Sequence, residues 1–127
     1  MKKIIVLLVN MLFVSVVYAQ GISFFSGSWS DVLAEAKQKK KVVFVDIYTE
    51  WCGPCKLMEK NIFPDEQVGK YYNANFICYK LDGEKGEGPE IVKKYGIKGY
   101  PTCLYLDEDG KLLYRFSGAK ELKEFLE

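Results

Sequence analysis

The feature that most limits the possible folds is a strand-like run that leads into a cysteine pair. Val42 to Tyr48 is a nearly unbroken series of β-branched and aromatic residues, the mark of a buried strand. It runs on into Trp51-Cys52-Gly53-Pro54-Cys55-Lys56. Pro54 can begin a helix, because the first turn requires no backbone donor from it. Cys52 is therefore expected at a strand-to-helix junction, where unpaired N–H groups and the helix dipole favour a thiolate. The thiolate is the attacking species in disulfide exchange. Cys55, one turn in, is expected to be less exposed and placed to attack a mixed disulfide. Spacing alone leaves three uses of such a pair open: a small disulfide ring, a metal clip, or simple packing.

Composition narrows the chemistry. The chain has no histidine, which removes Ser-His-Asp and Cys-His catalysis, His-ligated zinc and the commonest general base. An all-cysteine zinc site would need Cys78 and Cys103, which fall on separate expected strands and lack knuckle spacing. No metal and no other cofactor is therefore expected. With 127 residues, 49% of them apolar, the chain suits one domain with a packed core. Cys78 and Cys103 lie inside apolar runs and read as buried, inert thiols.

The order of elements sets the architecture. Trp29, Val32, Leu33 and Ala36 share one helix face, with Ser28 and Asp31 as a capping pair. After the Val42–Tyr48 strand, Leu57, Met58 and Ile62 continue at helical spacing until Phe63-Pro64-Asp65. Asp65 can cap a further helix through Val68, Tyr71 and Tyr72. Phe76 to Leu81 reads as a strand, and Pro89 to Gly96 as a helix and its end. Thr102–Leu106 and Leu112–Phe116 flank a hairpin signal at Asp107-Glu108-Asp109-Gly110. Leu122, Phe125 and Leu126 mark a last helix. This alternation predicts an α/β fold, a mixed central sheet covered by helices on both faces and closed by a β-hairpin plus helix.

Residues 1–19 read as a signal peptide. Lys2-Lys3 precede an apolar run from Ile4 to Val17, and Val17-Tyr18-Ala19 offers small residues at the cleavage positions. The run is short for a bilayer span, so no stable membrane insertion is expected after cleavage. Removing Lys2 and Lys3 takes the formal charge from +1 to −1. A near-neutral chain has no electrostatic reason to bind nucleic acid. No separate dimerisation segment is visible, and a monomer is the default.

Trp51-Cys52-Gly53-Pro54-Cys55-Lys56 resembles the active-site sequence of the thioredoxins. Val45 to Glu50 resembles the strand before it, and Tyr95 to Thr102 looks like the family's second signature, a loop ending in a cis-proline. Gly118-Ala119 and Leu122 to Leu126 resemble the last turn and helix. The resemblance implies a thioredoxin fold over residues 20–127 and a redox-active Cys52–Cys55 disulfide. It implies that Asp46, an acid in an apolar strand, is the proton acceptor for Cys55 through water. Pro101, in cis, would expose the backbone of Tyr100 to pair with a substrate segment. Trp51, Gly53, Pro54, Gly99, Tyr100 and Gly118 would form an apolar substrate rim.

Tyr48 and Lys60 depart from cytoplasmic thioredoxins, which carry tryptophan and proline there. Lys56 to Val68 looks more like exported thioredoxin-like domains, such as the periplasmic C-terminal domain of the electron transporter DsbD. The expected function is thus a periplasmic oxidoreductase that reduces or isomerises protein disulfides, resupplied by a membrane electron donor of DsbD type. The alternatives are a disulfide oxidase or cytochrome-maturation factor, and a client-binding module without redox turnover. Cys78 and Lys80 share a strand face, and spacing leaves open which of them approaches Asp46.

Overall fold

The capping pair forms as the sequence implies. In the computed structural model, which describes residues 20–127, the Ser28 hydroxyl accepts from the Asp31 N–H, and the Asp31 carboxylate accepts from the Ser28 N–H. The expected signal peptide lies outside the described residues. These two bonds start α1 (Trp29–Lys39), whose buried face is Trp29, Val32 and Ala36. From 58 positions further along the chain, Glu87 Oε2 accepts from the Trp29 N–H at 2.8 Å and fastens the same helix start. Ser28→Ala should cost about 1 kcal/mol of stability, read as a lower urea midpoint with an unchanged slope.

The remaining elements follow in order: β1 (Val42–Tyr48), α2 (Gly53–Asn61), α3 (Glu66–Asn75), β2 (Phe76–Asp82), α4 (Gly88–Tyr95), β3 (Thr102–Leu106), β4 (Leu112–Ser117) and α5 (Leu122–Leu126). The strands form one mixed sheet in the order β2-β1-β3-β4. β1 pairs parallel with β2 and antiparallel with β3, and β3 and β4 make the expected hairpin.

Strand alternation divides β1 between two cores. Val43, Val45 and Ile47 pack with Trp29, Val32 and Ala36 of α1 and Ile91 of α4. Phe44 faces the opposite side, among Met58, Val68, Tyr72 and Phe125. Its ring meets Tyr72 at 4.9 Å and Tyr105 at 5.2 Å between centroids. Asp46, two residues on, shares that side. Helices therefore cover both faces, and a carboxylic acid stands inside an aromatic core.

Two expectations need correction. Leu57 and Tyr71, assigned to apolar helix faces, are 57% and 51% exposed. In each helix the buried face runs through the next residue, Met58 or Tyr72, and the neighbour lies about 100° away around the axis. The N-terminal segment also adds sheet contact that no pattern announced. Phe24 forms a parallel bridge to Cys78, and the Phe25 N–H donates to the Cys78 carbonyl at 2.7 Å.

Candidate active site

β1 delivers its last residues to a turn in which the Cys52 N–H donates to the Thr49 carbonyl at 3.3 Å. Cys52 is the N-cap of α2, with extended backbone, and Pro54 occupies the first turn. The Cys55 N–H donates to Cys52 Sγ at 3.2 Å. A helix N-terminus thus points one of its unpaired donors at the sulfur, which stabilises negative charge there when the bond is reduced. Cys52 and Cys55 are joined as a disulfide, with Cα atoms 5.3 Å apart. Their exposures are 2% and 3%, so the expected difference in accessibility is absent. Closing the ring lets each sulfur shield the other.

Asp46 is 2% exposed in the same strand. Burial pushes its carboxyl up to about 7; Lys80 pulls it down, Glu59 raises it, and a hydrogen bond from Cys103 lowers it. The strand register explains this company. Asp46 stands beside Lys80 on β2 and beside Cys103 on β3. Lys80, not Cys78, is therefore the neighbour that spacing had left open. Its ammonium pairs with Glu59 of α2 and lies 4.7 Å from the centre of the Tyr48 ring. Cys78 stands opposite Phe44, and burial pushes its thiol up to about 12. Glu59 escaped the sequence reading, although its place one turn beyond Cys55 on α2 was a usable signal.

The residues expected as a rim are found around the end of the sheet that carries the disulfide. The pairing of Ile47 with Thr102 puts the start of β3, and so Pro101, at the end where β1 enters the cysteine turn. The Tyr100–Pro101 peptide bond is cis. The Gly118 N–H donates to the Pro101 carbonyl at 2.8 Å, and the Thr102 hydroxyl donates to the Gly99 carbonyl at 2.7 Å. Trp51 is 66% exposed and meets the Tyr100 ring edge-on at 5.9 Å. Gly53, Pro54 and Gly118 are exposed as well.

A loop residue that sequence reasoning missed holds the tryptophan. Trp51 Nε1 donates to Glu84 Oε1 at 2.9 Å. Beside it the Gly83 N–H donates to the Tyr48 carbonyl at 2.8 Å. A Cβ on Gly83 would lie 2.6 Å from the Tyr100 ring, so this glycine makes room for the rim. The polar loop after β2 carried no pattern that assigned it to the site.

Among the described residues, no group of three or more histidine, cysteine or acidic side chains is disposed to hold a metal ion. None of their helices is long and apolar enough to cross a membrane. The arrangement holds two sulfurs that can pass between dithiol and disulfide, a buried carboxyl raised to about 7, and an exposed aromatic border.

Residues 29–127 match the family model described as the thioredoxin-like domain. The thiol:disulfide interchange protein DsbD of Actinobacillus pleuropneumoniae is 36% identical over 95 residues, covering 72% of this chain. The chain spans 16% of that relative's length. Thioredoxin-1 of Drosophila yakuba is 34% identical over 83 residues, covering 65% of this chain and 72% of the relative. The solution structure of a candidate disulphide-isomerase from Bacteroides thetaiotaomicron superposes with a TM-score of 0.77 at 44% identity. That superposition covers 86% of this chain and 90% of the other.

Proposed function

The chain belongs to the thioredoxin-like domain family and is a protein disulfide oxidoreductase, and from that premise we propose that it reduces or isomerises protein disulfides in the periplasm. The observation that carries the reading is the Cys52–Cys55 disulfide at the start of α2, with the Cys55 N–H aimed at Cys52 Sγ.

In the reductive half-cycle the Cys52 thiolate attacks one sulfur of a client disulfide. A mixed disulfide forms, and the other client sulfur leaves as a thiolate that takes a proton from solvent. Asp46 accepts the Cys55 proton. The Cys55 thiolate then attacks Cys52 Sγ, closing the Cys52–Cys55 bond and expelling the second client thiolate. Two electrons pass to the client. If the client thiolate released first instead attacks a different client disulfide, and the thiolate released there attacks the client sulfur of the mixed disulfide, Cys52 leaves as a thiolate and the client is isomerised with no net electron transfer.

The rim supplies the docking surface. Trp51 and Tyr100 offer apolar faces, and Gly53, Gly99 and Gly118 allow another backbone to approach closely. The backbone of Tyr100 beside Pro101 is the place for a client strand to pair. The likeness to DsbD supports a membrane electron donor of that type, and residues 1–19 support export.

The residues between the cysteines support the reductive direction. Gly53-Pro54 is the dipeptide of thioredoxin, whose potential is about −270 mV, whereas the oxidant DsbA lies at about −120 mV. Equilibration with glutathione buffers, followed by thiol alkylation and mass analysis, should place the Cys52–Cys55 couple nearer the former. A value near that of DsbA would make the protein an oxidase.

A further inference from the structure

The two thiols outside the disulfide differ in their surroundings. Cys78 lies among apolar groups, with its Sγ 3.8 Å from the Tyr72 carbonyl oxygen. Cys103 is fully buried, stands beside Asp46 in the sheet register, and has its Sγ 3.9 Å from Asp46 Oδ1. We propose that Cys103 is a positioning residue for disulfide exchange, whose S–H is donated to Asp46 and sets the pH at which that carboxylate can take the Cys55 proton. This inference rests on the role of Asp46 proposed above.

The direction of donation is settled by chemistry. An ionised carboxylate can only accept, and a thiol is a weak donor whose sulfur accepts poorly. Burial, with the Asp46 charge beside it, holds the Cys103 thiol well above its ordinary range, so it keeps its proton throughout the working pH range. The sulfur is thus a fixed hydrogen-bond donor and has no part as a nucleophile. A hydrogen bond to the charged form of an acid lowers its pKa.

The other charged groups around Asp46 act through space. Lys80 on β2 lowers the carboxyl's proton affinity, but its ammonium is held by Glu59 of α2, which raises it. Cys52 and Cys55 at the head of α2 are bonded to each other in this state. Tyr48, on the same strand, holds the Lys80 ammonium against its ring. Lys120, between β4 and α5, acts on the Cys103 thiol and lies over the Phe116 ring. Among these groups, Cys103 is the one whose hydrogen-bond donor is directed at Asp46.

The test compares Cys103→Ala, Cys103→Val and Cys103→Ser with the unchanged protein, using two readouts. The first is the carboxyl 13C titration of Asp46, assigned with Asp46→Asn. The second is the pH profile of disulfide exchange with a reduced-dithiol donor and a model disulfide protein. The expected result is an Asp46 midpoint about half a unit higher in both the alanine and valine variants, with serine returning it to or below the starting value. The pH profile should move by the same amount. Alanine leaves a cavity and valine fills the space, so a packing effect would separate these two variants, whereas loss of the donor moves them together.

An unchanged Asp46 midpoint in both variants overturns the proposal, as does a serine variant that titrates like alanine. If the carboxyl midpoint moves while the exchange profile does not, the S–H donation stands but the link to exchange is overturned. The assigned role of Asp46 then fails with it. If Asp46→Asn leaves the exchange profile unaltered, that role fails independently of Cys103.

Discussion

Cys52→Ser will abolish reduction of protein disulfides, lowering the rate by roughly 10³-fold or more, while the fold stays intact. The basis is the chemistry of the N-cap position. At Cys52 the helix N-terminus and the Cys55 N–H together stabilise a sulfur anion, and a serine hydroxyl there does not ionise at any working pH. Cys55→Ser should behave differently. Cys52 can still attack, but nothing resolves the product, so client proteins accumulate as mixed disulfides that migrate as heavier bands on non-reducing gels. Exchange that persists in Cys52→Ser at the unchanged rate would move the nucleophile elsewhere. Binding of clients with no turnover in the unaltered protein would leave only the docking surface.

The second large effect concerns stability. Asp46→Asn should stabilise the oxidised protein by about 3 kcal/mol more at pH 8 than at pH 4.5. The Asp46 carboxyl titrates near 3.8 in the unfolded chain and near 7 when folded. Between those values the folded state holds a proton that the unfolded state has released. Raising the pH through this window therefore removes stability, and above 7 the buried charge costs its full amount. Asparagine carries no charge at either pH, so its curve lacks this decline. Urea unfolding at the two pH values gives the comparison, and parallel shifts at both would mean that Asp46 is not held neutral by the fold. The protein keeps a destabilising group in its core, which fits the proton-accepting role proposed for Asp46.

Much of the site was legible because chemistry and local geometry coincide there. A proline in the first helical turn, a cysteine before it and a buried strand ahead of both define one kind of junction. The capping pair Ser28 and Asp31 and the Asp107–Gly110 turn were legible for the same reason, since each depends on residues a few positions apart. What stayed hidden depends on register. Whether Cys78 or Lys80 adjoins Asp46 is decided by which β2 residue slides beside it, and alternation alone does not fix that offset. The Phe24 bridge involves too few residues to leave a periodic pattern. Glu84 reaches Trp51 across 33 positions from a loop with no repeating signal. The exposure of Leu57 and Tyr71 shows a finer limit, since adjacent apolar residues on a helix compete for one buried stripe.

The strand order also determines how many electrons the folded chain can store. Cys78 on β2 and Cys103 on β3 have β1 between them, so their backbones are separated by two strand spacings, roughly 10 Å. A disulfide requires Cα atoms within about 7 Å. The sheet thus acts as an insulator between its own spare sulfurs. Oxidative titration of the native protein should follow a single two-electron Nernst curve, with no second wave and no internal short circuit. In an oxidising compartment, wrong pairings are open to this chain only before β1 takes its place in the sheet.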